Sequence, residues 1–180
     1  LMDLVKIDLN MGTTIPEIIL YCCLNAPLID FIKMVLSFDD NQNMDQLVND
    51  VLEYRNDNGG NCLLVSVDLI VKYNYATGKY PDDTNDIKRQ SEEVILYLID
   101  LGFKHNVDMV KVLNATTNSG RTLFFGMTFC NYEKVAVLLM DNDVRVNSID
   151  QYFQTPKLKV SEETRKSNNF CFRLKAFNKE

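Results

Sequence analysis

The chain has 180 residues, 46% of them apolar and 24% charged, enough for one domain with its own core. Seven Gly, four Pro and 10% aromatic residues exclude a collagen-like chain and argue against wholesale disorder. A formal net charge of −6 and a pI near 4.8 argue against general nucleic-acid binding, which needs a local excess of Lys and Arg.

In chain order, Ile15 to Leu24 and Pro27 to Leu36 predict a first pair of short helices. Phe31, Ile32, Val35 and Leu36 give the second of them one apolar face. Glu17, Asp30 and Lys33 interrupt this apolar stretch and Pro27 breaks it, so it lacks the roughly 20 apolar residues of a membrane span. No basic region followed by a short apolar run opens the chain, so no signal peptide is expected. Met44 to Tyr54 predicts an extra helix, with Leu47, Val48, Val51 and Leu52 on one face. Asp57 to Asn61 (DNGGN) reads as a turn. Tyr73 to Gln90 reads as an inserted loop, whose Tyr73, Tyr75 and Tyr80 among Asp, Asn and Lys give it the composition of a recognition loop.

Ser91 to Leu101 predicts a helix, with Ser91 as N-cap and Glu92 and Glu93 in its first turn. Gly102 follows at its end, where a positive φ is often needed. The apolar residues of this helix cover nearly its whole circumference, as do those of Tyr132 to Met140. A short helix of that kind must be sandwiched between neighbours, and stacked helix pairs provide the sandwich.

The chain also repeats itself. Thr122 and Thr155 lie 33 residues apart, and Gly120 with Phe153 and Thr117 with Asp150 keep the same register. Gly120, Thr122 and Phe124, then Val135-Ala136, Leu139-Met140 and Val146-Asn147, form one unit, and Thr155-Pro156 opens the next. A stretched copy runs from Gly60-Asn61-Cys62-Leu63-Leu64, with Cys62 in the Thr position, to Val94-Ile95, Leu98-Ile99, Gly102 and Asn106. This pattern resembles the ankyrin repeat, D-x-x-G-x-T-P-L-H-x-A followed by I-V-x-x-L-L-x-x-G-A-D-V-N. The resemblance implies an all-α solenoid of stacked helix-turn-helix repeats with hairpin loops, forming one domain over 1–180. Its parts are a degenerate repeat at 15–41, the extra helix at 44–54, a repeat at 57–106 carrying the insertion 73–90, the best repeat at 117–149 and a capping repeat with tail at 150–180.

A zinc site is poorly supported: Cys22, Cys23, Cys62, Cys130 and Cys171 form no CxxC pair and His105 is the single His. Buried, reduced thiols and an intracellular setting, cytoplasmic or nuclear, are expected instead. With no triad partner for His105, no P-loop and no GxGxxG, no enzyme activity and no cofactor are expected. The abundance of Asn, 19 of 180, fits an A+T-rich genome, such as that of a virus or an intracellular bacterium acting in a host cytoplasm.

By resemblance, the function is a non-catalytic one: binding a partner protein through the concave face and the loops. Family positions around the Gly-Thr turn and late in the first helix then fall on Asn58, Gly59 and Asn61, on Asn118, Ser119, Arg121, Phe129 and Cys130, and on Gln151, Tyr152 and Gln154. Tyr80 joins them from the insertion. No nucleic acid or membrane is expected as a partner, and a homo-oligomer is not indicated. The alternative is a regulatory or targeting domain of a larger enzyme or effector. The Leu before Met2 is compatible with excision from such a chain.

Overall fold

The computed structural model describes residues 13–37, 43–77, 86–130, 132, 134–135 and 138–139. These residues form an all-α structure of seven helices, with no strand among them beyond an isolated bridge between Thr116 and Thr122. In order they are α1 (Ile15–Asn25), α2 (Ile29–Leu36), α3 (Met44–Glu53), α4 (Cys62–Thr77), α5 (Asp86–Lys104), α6 (Met109–Leu113) and α7 (Leu123–Cys130).

Local chemistry sets the helix ends. Thr14 caps α1 in a reciprocal box with Glu17, and Pro16 in the first turn needs no N–H partner. Asn43 caps α3 through Asp45 N–H at 3.1 Å, and Asp108 caps α6 through Lys111 N–H at 3.1 Å. α2 begins at Ile29, two residues later than expected, with Leu28 as a cap that supplies no side-chain hydrogen bond.

α4 is the centre of the packing. It touches α1, α5 and α7, while α1 also packs on α2 and α3, and α5 on α2, α3 and α6. Helices α1, α4 and α7 therefore succeed one another as a row, and α2 and α5 pack together beside it. The expected apolar faces are the ones that bury. Val94, Ile95, Leu98 and Ile99 are wholly buried on α5, and Leu47, Val48, Val51 and Leu52 nearly so on α3. Each such side chain contributes about 1.5–3 kcal/mol of burial. Beyond α7, Lys134, Val135, Leu138 and Leu139 are helical, and Val135 and Leu139 are wholly buried. The α7–α4 approach is close: a Cβ on Gly126 would lie 2.5 Å from Val67 Cγ1 and 3.2 Å from its Cβ.

Three expectations change. First, 73–90 is not one inserted loop. Residues 73–77 continue α4 and 86–90 begin α5, which lengthens both helices to 16 and 19 residues. The breakers Gly78 and Pro81 fall only between them, and Asp86–Arg89 (3.1 Å) with Arg89–Glu93 (3.9 Å) lines the new first turns. Tyr80 lies outside the described residues. Second, Ser91 is not a cap but a wholly buried mid-helix residue of α5, and its hydroxyl has no hydrogen-bond partner among the described residues. Third, Gly102 lies inside α5 and does not have the positive φ; Asn106 does, at φ 55. Val107 N–H reaches back to Gly102 O at 3.0 Å across it, a left-handed helix stop. Gly102 serves close approach instead, since a Cβ there would collide with Met109 Sδ and Leu52 Cδ1.

The described thiols Cys22, Cys23 and Cys62 are buried and unpaired. Burial pushes the Cys62 thiol up to about 12, and the Cys23 thiol well above its usual value. Cys130 belongs to α7 and Cys171 lies outside the described residues. Among the described residues, no helix is long and apolar enough to cross a membrane.

Candidate functional site

The segments ahead of α4 and α7 are the same turn built twice. In the first, Gly59 N–H donates to Asn56 O (2.8 Å), Asn56 N–H donates to Gly60 O (3.0 Å), and Gly59 has φ +76. In the second, Gly120 N–H donates to Thr117 O (2.9 Å), Thr117 N–H donates to Arg121 O (2.9 Å), and Gly120 has φ 80. The side chain at the first position closes each turn. Asn56 Oδ1 accepts from Gly60 N–H at 2.9 Å, and Thr117 Oγ1 accepts from Arg121 N–H at 3.2 Å. A left-handed residue at the last turn position is where glycine carries no steric penalty.

This equivalence corrects the register read from the sequence. Gly59, not Gly60, matches Gly120, and Asn61, not Cys62, matches Thr122. The offset is 61 residues. Asn61 Oδ1 accepts from Leu64 N–H at 3.0 Å, which makes it the N-cap of α4, and its Nδ2 lies 3.4 Å from Val112 O. Thr122 stands, buried, immediately before α7. In the sequence, Gly12-Thr13-Thr14 carries the same Gly-x-cap spacing before α1. Cys62 is instead wholly buried, with its Sγ 3.7 Å from Val51 O of α3.

The two turns are joined directly. Asn118 N–H donates to Asn58 O at 2.8 Å, and Asn118 Nδ2 donates to Asp57 O at 2.8 Å. The contact is tight enough that a Cβ on Gly59 would lie 2.6 Å from Asn118 Oδ1. A cleft of about 330 Å³ opens beside this junction, lined by Asn58, Asp68, Thr117, Asn118, Ser119 and Arg121.

Four of the expected contact residues, Asn58, Asn118, Ser119 and Arg121, therefore meet on one surface. Gly59 is half-buried against Asn118 and does not line the cleft. Asn61 is a correction: it is wholly buried as the α4 cap and offers nothing to a partner. Phe129 and Cys130 are the last residues of α7, with side chains outside the described set, and Gln151, Tyr152 and Gln154 lie outside the described residues altogether.

Asp68 and Thr117 were missed. With the offset of 61, Asp68 on α4 is the counterpart of Phe129 on α7, so the rule that selected Phe129 selects Asp68 one repeat earlier. An offset of 60 points to Leu69 instead. Chemically the cleft offers two amides, two hydroxyls, a carboxylate and a guanidinium, a set made for directional hydrogen bonding. The Thr117 and Ser119 hydroxyls lie 2.9 Å apart, joined by a hydrogen bond that either can donate. No imidazole lines it: His105 Nδ1 lies 2.7 Å from Asp45 Oδ1, where it ties the end of α5 to the start of α3. Among the described residues, no group of three His, Cys, Asp or Glu side chains could hold a metal ion. Compared with known proteins, the chain matches no family model and no curated sequence.

Proposed function

We propose that the chain is a non-catalytic protein-interaction module of the ankyrin type, which binds a partner protein along the edge formed by its stacked turns. The observation that carries this reading is the turn at 56–61 recurring at 117–122, with Asn118 bonding one turn to the other. A succession of helices, α1, α4 and α7, the first two entered through the capping side chains of Thr14 and Asn61, supports the same reading. Two turns held by each other and by α4 behind them are ordered before a partner arrives. Binding there costs little ordering entropy, which is what makes a loop edge on a rigid scaffold a good recognition surface.

The partner engages the cleft through hydrogen bonds to Asn58, Asn118 and Ser119 and through the Asp68 and Arg121 charges. Arg121 is the strongest single anchor, because Arg side chains concentrate binding energy in interfaces. Capture of binding proteins by wild type and by Arg121→Glu tests the reading, with circular dichroism confirming that both are folded. The expected result is a specific partner recovered at least about tenfold less by Arg121→Glu. Equal recovery of every partner by both proteins rejects this surface, and adding Tyr152→Ala extends the test to the next turn.

A further inference from the structure

We propose that Asn58–Gly59 is a site of spontaneous deamidation through a cyclic imide, held in check by the stacking of the two turns. It is the one Asn-Gly pair among the 19 asparagines. Gly59 carries no side chain to keep its amide nitrogen away from the Asn58 side chain, and Asn58 is exposed to solvent.

The chemistry balances without a cofactor. A base from solvent removes the Gly59 N–H proton, and the nitrogen attacks Asn58 Cγ. An N–Cγ bond forms, the Cγ–Nδ2 bond breaks, and ammonia leaves with the proton. Water then opens the imide at either carbonyl, which gives aspartate or isoaspartate. No electrons change hands: one water enters and one ammonia departs.

The folded turn opposes the first step at two points. The Gly59 N–H that must be lost is donated to Asn56 O at 2.8 Å, and the Asn58 carbonyl on the same peptide accepts from Asn118 N–H at 2.8 Å. The Asn118 side chain adds its own tie to Asp57 O. Attack therefore waits for the turn to open, and its rate reports the local opening equilibrium rather than global unfolding. The product is consequential. Either outcome places a carboxylate in the cleft near Asp57 and Asp68, and isoaspartate also lengthens the backbone by a methylene between the two bonded peptide groups. That this alters partner binding rests on the reading above; the modification itself does not.

The test is incubation of the full chain at mildly alkaline pH, followed by peptide mass mapping. It is run folded and in concentrated guanidinium, with Asn58→Ser to locate the signal and Asn118→Ala to loosen the latch. The expected result is an amide-to-acid mass gain at Asn58, slower in the folded protein by roughly tenfold or more and accelerated about threefold or more by Asn118→Ala. Absence of the gain at Asn58 in both states overturns the site. Equal folded and denatured rates, or an Asn118→Ala protein that is folded and no faster, overturn the latch. If Asn118→Ala does not fold, the wild-type comparison of folded and denatured protein decides alone. Since the readout is mass and not binding, its failure is distinguishable from failure of the interaction surface.

Discussion

The turns at 56–61 and 117–122 share a backbone and one identical position, the left-handed glycine. Everything else differs. Asn56 closes the first turn with one oxygen that accepts from two N–H groups, Asn58 at 3.0 Å and Gly60 at 2.9 Å. Thr117 closes the second with a hydroxyl that accepts from Arg121 N–H and is shared with Ser119. Asn61 caps one following helix, and Thr122 precedes the other. What recurs is a set of demands: an acceptor at the first position, a residue tolerant of positive φ at the fourth, and a short polar residue at the sixth, immediately before the helix. Any side chain that meets the demand serves, so the repeat is better conserved in its hydrogen bonds than in its letters.

The largest expected effect comes from attacking the feature that the turns do share. Gly59→Ala forces an L-residue into φ +76 and drives a Cβ to 2.6 Å from Asn118 Oδ1 and 3.1 Å from Asn118 N. The side chain can swing aside, but the backbone nitrogen belongs to the second turn. We expect a loss of about 2–4 kcal/mol from the conformation and the collision together. Gly120→Ala carries the conformational cost, about 1–2 kcal/mol. Chemical denaturation of both variants separates the two; equal losses mean that contact between the turns adds nothing to stability.

Exchanging caps sharpens the comparison at the sixth position. Asn61→Ala leaves Leu64 N–H buried without an acceptor and removes the amide near Val112 O, so about 2 kcal/mol should be lost. Asn61→Thr supplies the residue that stands at the equivalent position of the second turn and should restore about half of that. If Thr is no better than Ala in denaturant midpoint, the two positions are not equivalent and the offset of 61 fails.

These positions also show what could be read before the structure and what could not. The apolar faces were legible because burial acts on hydrophobicity directly: Val94, Ile95, Leu98 and Ile99, and Leu47, Val48, Val51 and Leu52, are where their spacing put them. The cap was not. Gly59 and Gly60 stand side by side, and only the φ of one of them decides whether Asn61 or Cys62 stands at the cap position. One residue of register then hid Asp68 and placed buried Asn61 on the binding surface. The long helices were missed for another reason. Residues 73–77 and 86–90 hold polar and aromatic groups of loop-like composition, yet contain no residue that stops a helix. Once α4 and α5 are nucleated by their apolar halves, propagation costs less than an interruption. Ser91 shows the limit of local signals, since a good capping residue is simply built into the interior of α5 when the helix starts earlier.

The smallest effect concerns α1, whose start a proton can undo. Glu17 accepts from Thr14 N–H at 2.7 Å, Thr14 Oγ1 at 3.0 Å and Tyr54 Oη at 3.0 Å, so its carboxylate closes the α1 cap and ties it to the end of α3. The hydrogen bond from the Thr14 backbone, then those from Tyr54 and the Thr14 hydroxyl, hold its pKa below the usual carboxylate value. Partial burial, then Glu17 itself, raises the Tyr54 hydroxyl above its usual value. A depressed carboxylate contributes stability above its unfolded pKa and loses it as pH falls through the folded one. A raised phenol contributes below its unfolded pKa, near 10, and loses it as pH rises further. The tie is therefore fully present between about pH 5 and 9 and fades at both ends. Neither the Asn61 amide nor the Thr122 hydroxyl titrates in this range, so the pH profile isolates the first helix from the two turns. Thermal unfolding of wild type and Glu17→Gln should differ in the middle of that range and converge toward acid. A difference that stays constant down to about pH 3 means that the carboxylate charge does not close the box.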